Sequence, residues 1–534
     1  MVETPSSKQT PPDQPFLDTT PYGAGPDDFV TDASENAAVT HHSVVINGKR
    51  IDYTARAGHL VTADPNTALP SAKIFYVSFT ADVEKPSERP VTFFYNGGPG
   101  SSAVFLLLGS FAPRRIKTAM PGFTPPAPYA MLDNPDSLLD VSDLVFVDPV
   151  GTGYSAGIAP AKNKDFWGVD EDARSIRQFV KRYLTAFNRW NSPKFLFGES
   201  YGTPRTCVLT WLLHEDGIDL NGIVLQSSIL DYGQANNPAG VLPTLAADAW
   251  FQGKVTISPK PADLPAFLDE VQAFAREPYA EALEAFPNVD DAVVEKLSQY
   301  IGIPPLVLKY WKLDVTTGGG STFLTSLLLK EGLAVGAYDG RVTADDTGIA
   351  GAVDPNSGGN DPTMTAVGGV YTTMWNVYLN DELRFTSTSP FLDLNDQAFK
   401  NWNFAHVDPT GAQKGGDNLY TAGDLAGAMA LNPYLKVFAA NGYFDAVTPF
   451  FQTILNFENM PLKSPKAREN LVVRSYPSGH MIYLDDPSRT AMKADLASFY
   501  EQATRRGKAE AQAIAEEPRL GSARYRRRFS RTPY

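Results

Sequence analysis

Short, nearly continuous apolar runs constrain this chain more than any other feature: "KIFYVSFTA", "VTFFYNGG", "DLVFVDPVG", "KFLFGES", "GIVLQSS" and, far downstream, "LKVFAANG" and "LVVRSYPSGH". Runs of this length without a polar face fit strands buried on both sides, the environment of a mainly parallel sheet covered by helices. The text between them supplies those helices. In "GVDEDARSIRQFVKRYLTAFNRW", Ala173, Ile176, Val180, Leu184 and Phe187 recur at three- and four-residue spacing, and Asp170, Glu171 and Asp172 put negative charge at the helix start. The beginning is of another kind. "SVVINGKRIDYTARAG" sets Asn47-Gly48 between two alternating runs, and both residues tolerate the positive φ that a two-residue hairpin needs.

The alternation is lost between about residues 232 and 430, where helical pieces such as "LPAFLDEVQAFAREPYAEALEAF" mix with Gly-rich loops. Gly318-Gly319-Gly320 and "DPNSGGNDP" read as turns, because a phosphate cradle would continue into Lys-Ser or Lys-Thr. The expected organisation is therefore an arm or surface strap over 1–40, a core begun over 41–231, and a large, mainly helical insertion over 232–430 that reads as a cap over a site. The core resumes over 431–505, and the Arg-rich 506–534 reads as a solvated tail.

Composition narrows the function. A net charge of −14 and a pI near 5.0 oppose sustained binding to nucleic acid, whose affinity for proteins comes largely from Lys and Arg on phosphates. The only cysteine is Cys207, so neither an intramolecular disulfide nor a cysteine zinc site is expected, and a buried packing role is. No stretch reaches the roughly 18–20 consecutive apolar residues of a membrane span. "MVETPSSKQTPPDQP" lacks the basic end and apolar core of a signal peptide. The expectation is a soluble chain, cytoplasmic as written, or periplasmic or secreted if a leader precedes this numbering.

The run "KFLF" stops abruptly in Gly198-Glu199-Ser200-Tyr201-Gly202. Gly-x-Ser-x-Gly after a strand and before a helix is a nucleophile elbow, a tight turn that strains the serine backbone and exposes its hydroxyl. A serine hydroxyl attacks only when an imidazole takes its proton and a carboxylate orients that imidazole. Of six histidines only His480 follows a late strand, and Asp445 lies just beyond another strand end, giving the order Ser, acid, His. His41, His42, His59, His214 and His406 read as ordinary structural histidines, and none has the spacing of metal ligands, so no metal is expected. The reaction also needs donors for the oxyanion, each worth about 3–4 kcal/mol of barrier. The natural pair is the N–H of Gly98, in "NGGPG" at another strand end, and the N–H of Tyr201.

Taken together, "YNGGPGSSA", "FVDPVGTGYS", "FLFGESYGTPRT", "ANGYFDAVTPF" and "YPSGHM" resemble the serine carboxypeptidase family (peptidase family S10), a branch of the α/β-hydrolase fold, over about residues 70–500 and most closely its bacterial members. The resemblance implies an α/β-hydrolase core with a helical cap, Ser200, Asp445 and His480 as triad, and Gly98 and Tyr201 as oxyanion donors. It further implies that Asn96 and Glu199 hold the C-terminal carboxylate of a peptide substrate, with Glu199 sharing a proton with it, which favours peptide hydrolysis at acidic pH. No cofactor is implied. The chain departs from the eukaryotic pattern at Ser101, where a cysteine is frequent, and in lacking the family's disulfides. An esterase or acyltransferase on the same triad is the alternative, because fold and triad alone do not fix the substrate. Oligomeric state is not legible.

Overall fold

The computed structural model describes residues 11–516 except 260, 317–320, 347–359 and 412–417; side chains are described to residue 505. The Gly318-Gly319-Gly320 loop, most of "DPNSGGNDP" and the end of the Arg-rich tail lie outside the described residues.

One large sheet organises the molecule. Its strands are β1 (Ala37–Ile46), β2 (Lys49–Ala63), β3 (Pro70–Ala81), β4 (Val91–Tyr95), β5 (Asp143–Val147), β6 (Lys194–Glu199), β7 (Gly222–Gln226), β8 (Lys436–Gly442) and β9 (Leu471–Tyr476). They are ordered β9-β8-β7-β6-β4-β5-β3-β2-β1, with the two-residue strand Ala156–Gly157 added beside β3. Pairings from β9 to β5 are parallel, and those among β5, β3, β2 and β1 are antiparallel. The hairpin forms where Asn47-Gly48 predicts it: Ile46 pairs with Lys49, and the two turn residues have φ of 51° and 73°.

Alternate side chains of the central strands leave on opposite faces, and both faces are buried. Phe94, Phe146 and Phe197 stack across neighbouring strands, with centroids 4.7 and 4.8 Å apart, and join a core completed by α1 (Val104–Gly109) and by Met492, Leu496 and Phe499 near the C-terminus. On the other face, Phe93, Val145, Leu196 and Ile223 meet Ile176, Phe179, Val180 and Leu184 of α2 (Val169–Ala186) and Leu209 and Leu213 of α3 (Gly202–Glu215). Each such side chain contributes about 1.5–3 kcal/mol of burial free energy, which is why the runs are mostly apolar on both faces; buried Thr92 is admitted with hydrogen bonds to Ser142 and Tyr500.

The chain between β7 and β8 goes to three places. Helices α4 (Pro238–Phe251), α5 (Leu264–Phe274) and α6 (Asp291–Ile301) build a third core, which Phe444, Phe450 and Phe451 join from just after β8. Helix α7 (Pro362–Asp381) packs with α1 on the first face, and α8 (Ala422–Leu431) on the second. Residues 11–36 run along the surface, where Phe16–Asp18 pairs in parallel with Phe385–Ser387. Among the described residues no helix is long and apolar enough to cross a membrane.

Candidate active site at the ends of the parallel strands

Strand β6 ends at Glu199 and α3 begins at Gly202, leaving Ser200 and Tyr201 to make the turn. Ser200 has φ of +58°, a left-handed conformation costly for a residue with a Cβ. The flanking glycines make room: a Cβ on Gly198 would lie 2.2 Å from the Gly202 carbonyl oxygen, and one on Gly202 3.0 Å from that of Tyr95. Ser200 N–H donates to the Gln226 carbonyl at 3.0 Å, tying the elbow to β7.

Asp445 and His480 come from turns after β8 and β9. The Asp445 carboxylate is fully buried and accepts from Val447 N (2.9 Å), Thr448 N (3.0 Å) and Thr448 Oγ1 (2.6 Å), and lies 2.9 Å from His480 Nδ1. With those donors filling its other positions, it can hold one imidazole tautomer, the one with the proton on Nδ1. Burial opposes charging His480, but Asp445, seconded by Glu199 and Asp361, outweighs burial and raises its pKa above the ordinary value. Ser200 and His480 line the same cleft, of about 580 Å³.

The "NGGPG" turn after β4 packs on the elbow so closely that a Cβ on Gly97 would lie 2.4 Å from the Tyr201 nitrogen. Gly98 has φ of +101°, and among the described residues neither its N–H nor that of Tyr201 donates to another backbone carbonyl. Asn96 and Glu199, both almost wholly buried, face the same cleft. Asn96 Oδ1 accepts from Leu106 N at 3.0 Å, and the Asn96 side chain favours the charged form of Glu199. Burial pushes the Glu199 carboxyl up to about 7, against the opposing pull of His480, of the Tyr483 hydroxyl that donates to it at 3.0 Å, and of Asn96.

Of the seven residues singled out in the sequence, Asn96, Gly98, Glu199, Ser200 and His480 line one cleft, Tyr201 lies in the elbow beneath it, and Asp445 sits behind His480. The structure adds three that the sequence pattern does not announce. Arg205, completely buried, donates to Asp172 (2.5 Å) and to the Asn96 carbonyl (2.6 Å), between the rings of Tyr95 and Tyr201. Asp172 therefore pairs with a cation under the elbow as well as bringing charge to a helix start. Tyr483 meets Glu199, and Tyr338 sets its ring edge-on to His480 at 5.1 Å. An Arg in the first turns of an otherwise apolar helix was the one available signal.

Residues 48–237 match the serine carboxypeptidase family model. Among curated relatives, "Serine carboxypeptidase-like 1" of Arabidopsis thaliana is 28% identical over 174 residues, 31% of this chain and 38% of that protein. "Probable serine carboxypeptidase CPVL" of Homo sapiens is 25% identical over 171 residues, 30% of this chain and 33% of that protein. The chain thus spans less than two fifths of the length of these relatives. Both are eukaryotic. Among solved structures, a prohormone-processing carboxypeptidase of Saccharomyces cerevisiae superposes with a TM-score of 0.52 at 15% identity, covering 84% of this chain and 91% of the other. The fold is that of the α/β-hydrolases.

Proposed function

We propose that the protein is a serine-type carboxypeptidase that removes C-terminal residues from peptides. The observation that carries this reading is the Asn96–Glu199 pair: a buried amide and a carboxyl raised to about 7, side by side in the cleft that Ser200 and His480 line. A general esterase has no use for a carboxyl that keeps its proton near neutrality, whereas a protonated Glu199 can donate to the terminal carboxylate of a peptide with Asn96 beside it. Ser200 Oγ attacks the last peptide carbonyl while its proton passes to His480. The oxyanion accepts from the N–H groups of Gly98 and Tyr201, and His480 then gives its proton to the departing amine. Water cleaves the acyl-enzyme by the reverse route, with Asp445 holding the imidazole throughout.

The family match over 48–237 supports the reading, and so does the cleft's apolar wall. Leu245, Leu324, Met364 and Phe399, all from residues 232–430, line that wall, which supports reading part of this region as a cap over the site. Ser101 and the single cysteine favour kinship with bacterial members, which a phylogeny of the motif-bearing segments would test.

The deciding experiment compares a blocked dipeptide with its C-terminal amide. The acid should be cleaved by far the faster, and Ser200→Ala should abolish both cleavage and labelling by a fluorophosphonate. Equal turnover of acid and amide would transfer the site to the esterase or acyltransferase alternative.

A further inference from the structure

The acid and the base of the site sit on turns after adjacent parallel strands, and among the described residues the backbones of the two turns bond directly only at their roots, where Tyr443 N donates to the Tyr476 carbonyl at 2.9 Å and Phe444 N to the Ser478 carbonyl at 3.0 Å. Beyond those roots the bridge is residues 337–341, the loop of a small antiparallel hairpin (Leu333–Val335 with Thr343–Asp345) from the chain between β7 and β8. On one side it reaches the acid turn: Ala446 N donates to the Ala337 carbonyl at 2.9 Å and Gly340 N to the Phe444 carbonyl at 2.9 Å. On the other it reaches the base turn: His480 N donates to the Tyr338 carbonyl at 2.6 Å, and Arg341 Nη1 to the Pro477 carbonyl at 2.9 Å. The fit leaves no slack, since a Cβ on Gly479 would lie 2.4 Å from the Tyr338 carbonyl oxygen and 2.5 Å from Asp339 Cβ.

Arg341 fastens this stretch. Its Nε and Nη2 grip both oxygens of Asp339 at 2.9 and 2.7 Å, and its Nη1 also reaches Asp485 at 2.9 Å, beyond the base turn. The Arg341 side chain is 7% exposed and its guanidinium lies over the Phe444 ring, so its bonds are little screened by water. On the far side, Gln252, at the end of α4, donates to the Gly340 carbonyl at 2.8 Å.

We propose that residues 337–341 form a clasp that keeps the Asp445 and His480 turns in register, with Arg341 as its positioning residue. The proposal rests on the hydrolase reading of Ser200, Asp445 and His480. If the clasp slackens, the 2.9 Å contact between Asp445 and His480 lengthens, and proton transfer from Ser200 loses its alignment. The charged or titratable groups around His480 are Asp445, Glu199 and Asp361, with Tyr338 at its edge and Asp248 of α4, which burial and then Asp339 and Asp445 hold neutral, behind the clasp.

The test uses the full chain with an ester substrate, for which the Glu199 clamp is not needed. Arg341→Ala should lower kcat about tenfold and leave KM within about twofold. Fluorophosphonate labelling should slow by a similar factor. The acidic limb of the pH profile should move to lower pH, because His480 loses part of the Asp445 interaction that raises its pKa. Loss of the arginine's charge alone would move that limb the other way. Arg341→Lys, which keeps charge without the fork, should recover only part of kcat.

A folded Arg341→Ala with wild-type kcat, labelling rate and limb overturns the clasp, as does a limb moved to higher pH. Should that variant fail to fold, Asp485→Asn decides, cutting one half-buried anchor: a smaller loss of kcat and labelling rate supports the clasp, and wild-type values overturn it. A wild-type chain that the probe never labels overturns the hydrolase reading itself.

Discussion

Glu199 and His480 face the same cleft, and the proposed peptide hydrolysis needs a proton on Glu199 and none on His480 Nε2. A protonated Glu199 exists below about pH 7, while a neutral His480 exists only above its own raised pKa, so the two limbs cross. The peptidase profile should be bell-shaped and fall as pH rises through about 7, whereas the ester profile should keep the His480 limb alone. Glu199→Gln donates at every pH, so it should remove the alkaline fall for peptides; a fall that survives in this variant would show that another group governs it. Arg205 carries a different prediction. Asp172→Asn strands a buried guanidinium and should cost about 3–5 kcal/mol of stability, read by denaturant unfolding. Replacing both partners by apolar residues of similar volume should cost much less. Residues such as Ser200 were legible because the roles proposed for them demand a fixed local pattern. Arg205, Tyr338 and Tyr483 were not, because each acts on a residue far away in sequence and no local spacing encodes that contact.

Among the elements, the strands were the easiest to read, since burial on both faces forces unbroken apolar runs and leaves little room for another interpretation. The hairpin at Asn47-Gly48 was equally plain, its turn being encoded in two adjacent residues. What each helix after β7 packs against was not legible: α4, α7 and α8 share similar apolar content but go to three different cores. His406 shows a related gap. Its Nδ1 lies 2.7 Å from Asp170 at the start of α2 and its Nε2 2.9 Å from Asp424 in α8, so it bolts the connection between them to two helices. Burial opposes its charge, but the two carboxylates prevail and raise its pKa from the ordinary 6.5 to about 9. A folded pKa above the unfolded one means that the stabilisation is fully present below about 6.5 and is lost as pH rises through about 9. His406→Asn should therefore destabilise by on the order of 1–2 kcal/mol at pH 6, after allowance for partial solvent screening, and by little at pH 10. Thermal melts of the two proteins across that range give the comparison, and a constant difference would mean that the charge is not what matters.

At the scale of the molecule, the sheet carries two cores and the helical layer a third, and the third is stitched to the sheet by the segment just after β8. Phe451 is fully buried there. Phe451→Ala should cost about 3–5 kcal/mol, and hydrogen exchange should rise in α4, α5 and α6 before it rises in β4, β6 or β7. Simultaneous loss of protection everywhere would argue for a single cooperative unit. The same stitching limits redesign. Because Tyr338 and Ala337 hydrogen-bond directly to the turns that carry His480 and Asp445, a replacement helical layer grafted to alter selectivity must bring residues 336–342 with it unchanged. A transplant that honours only the shape of the substrate hollow would yield a well-folded but sluggish protein.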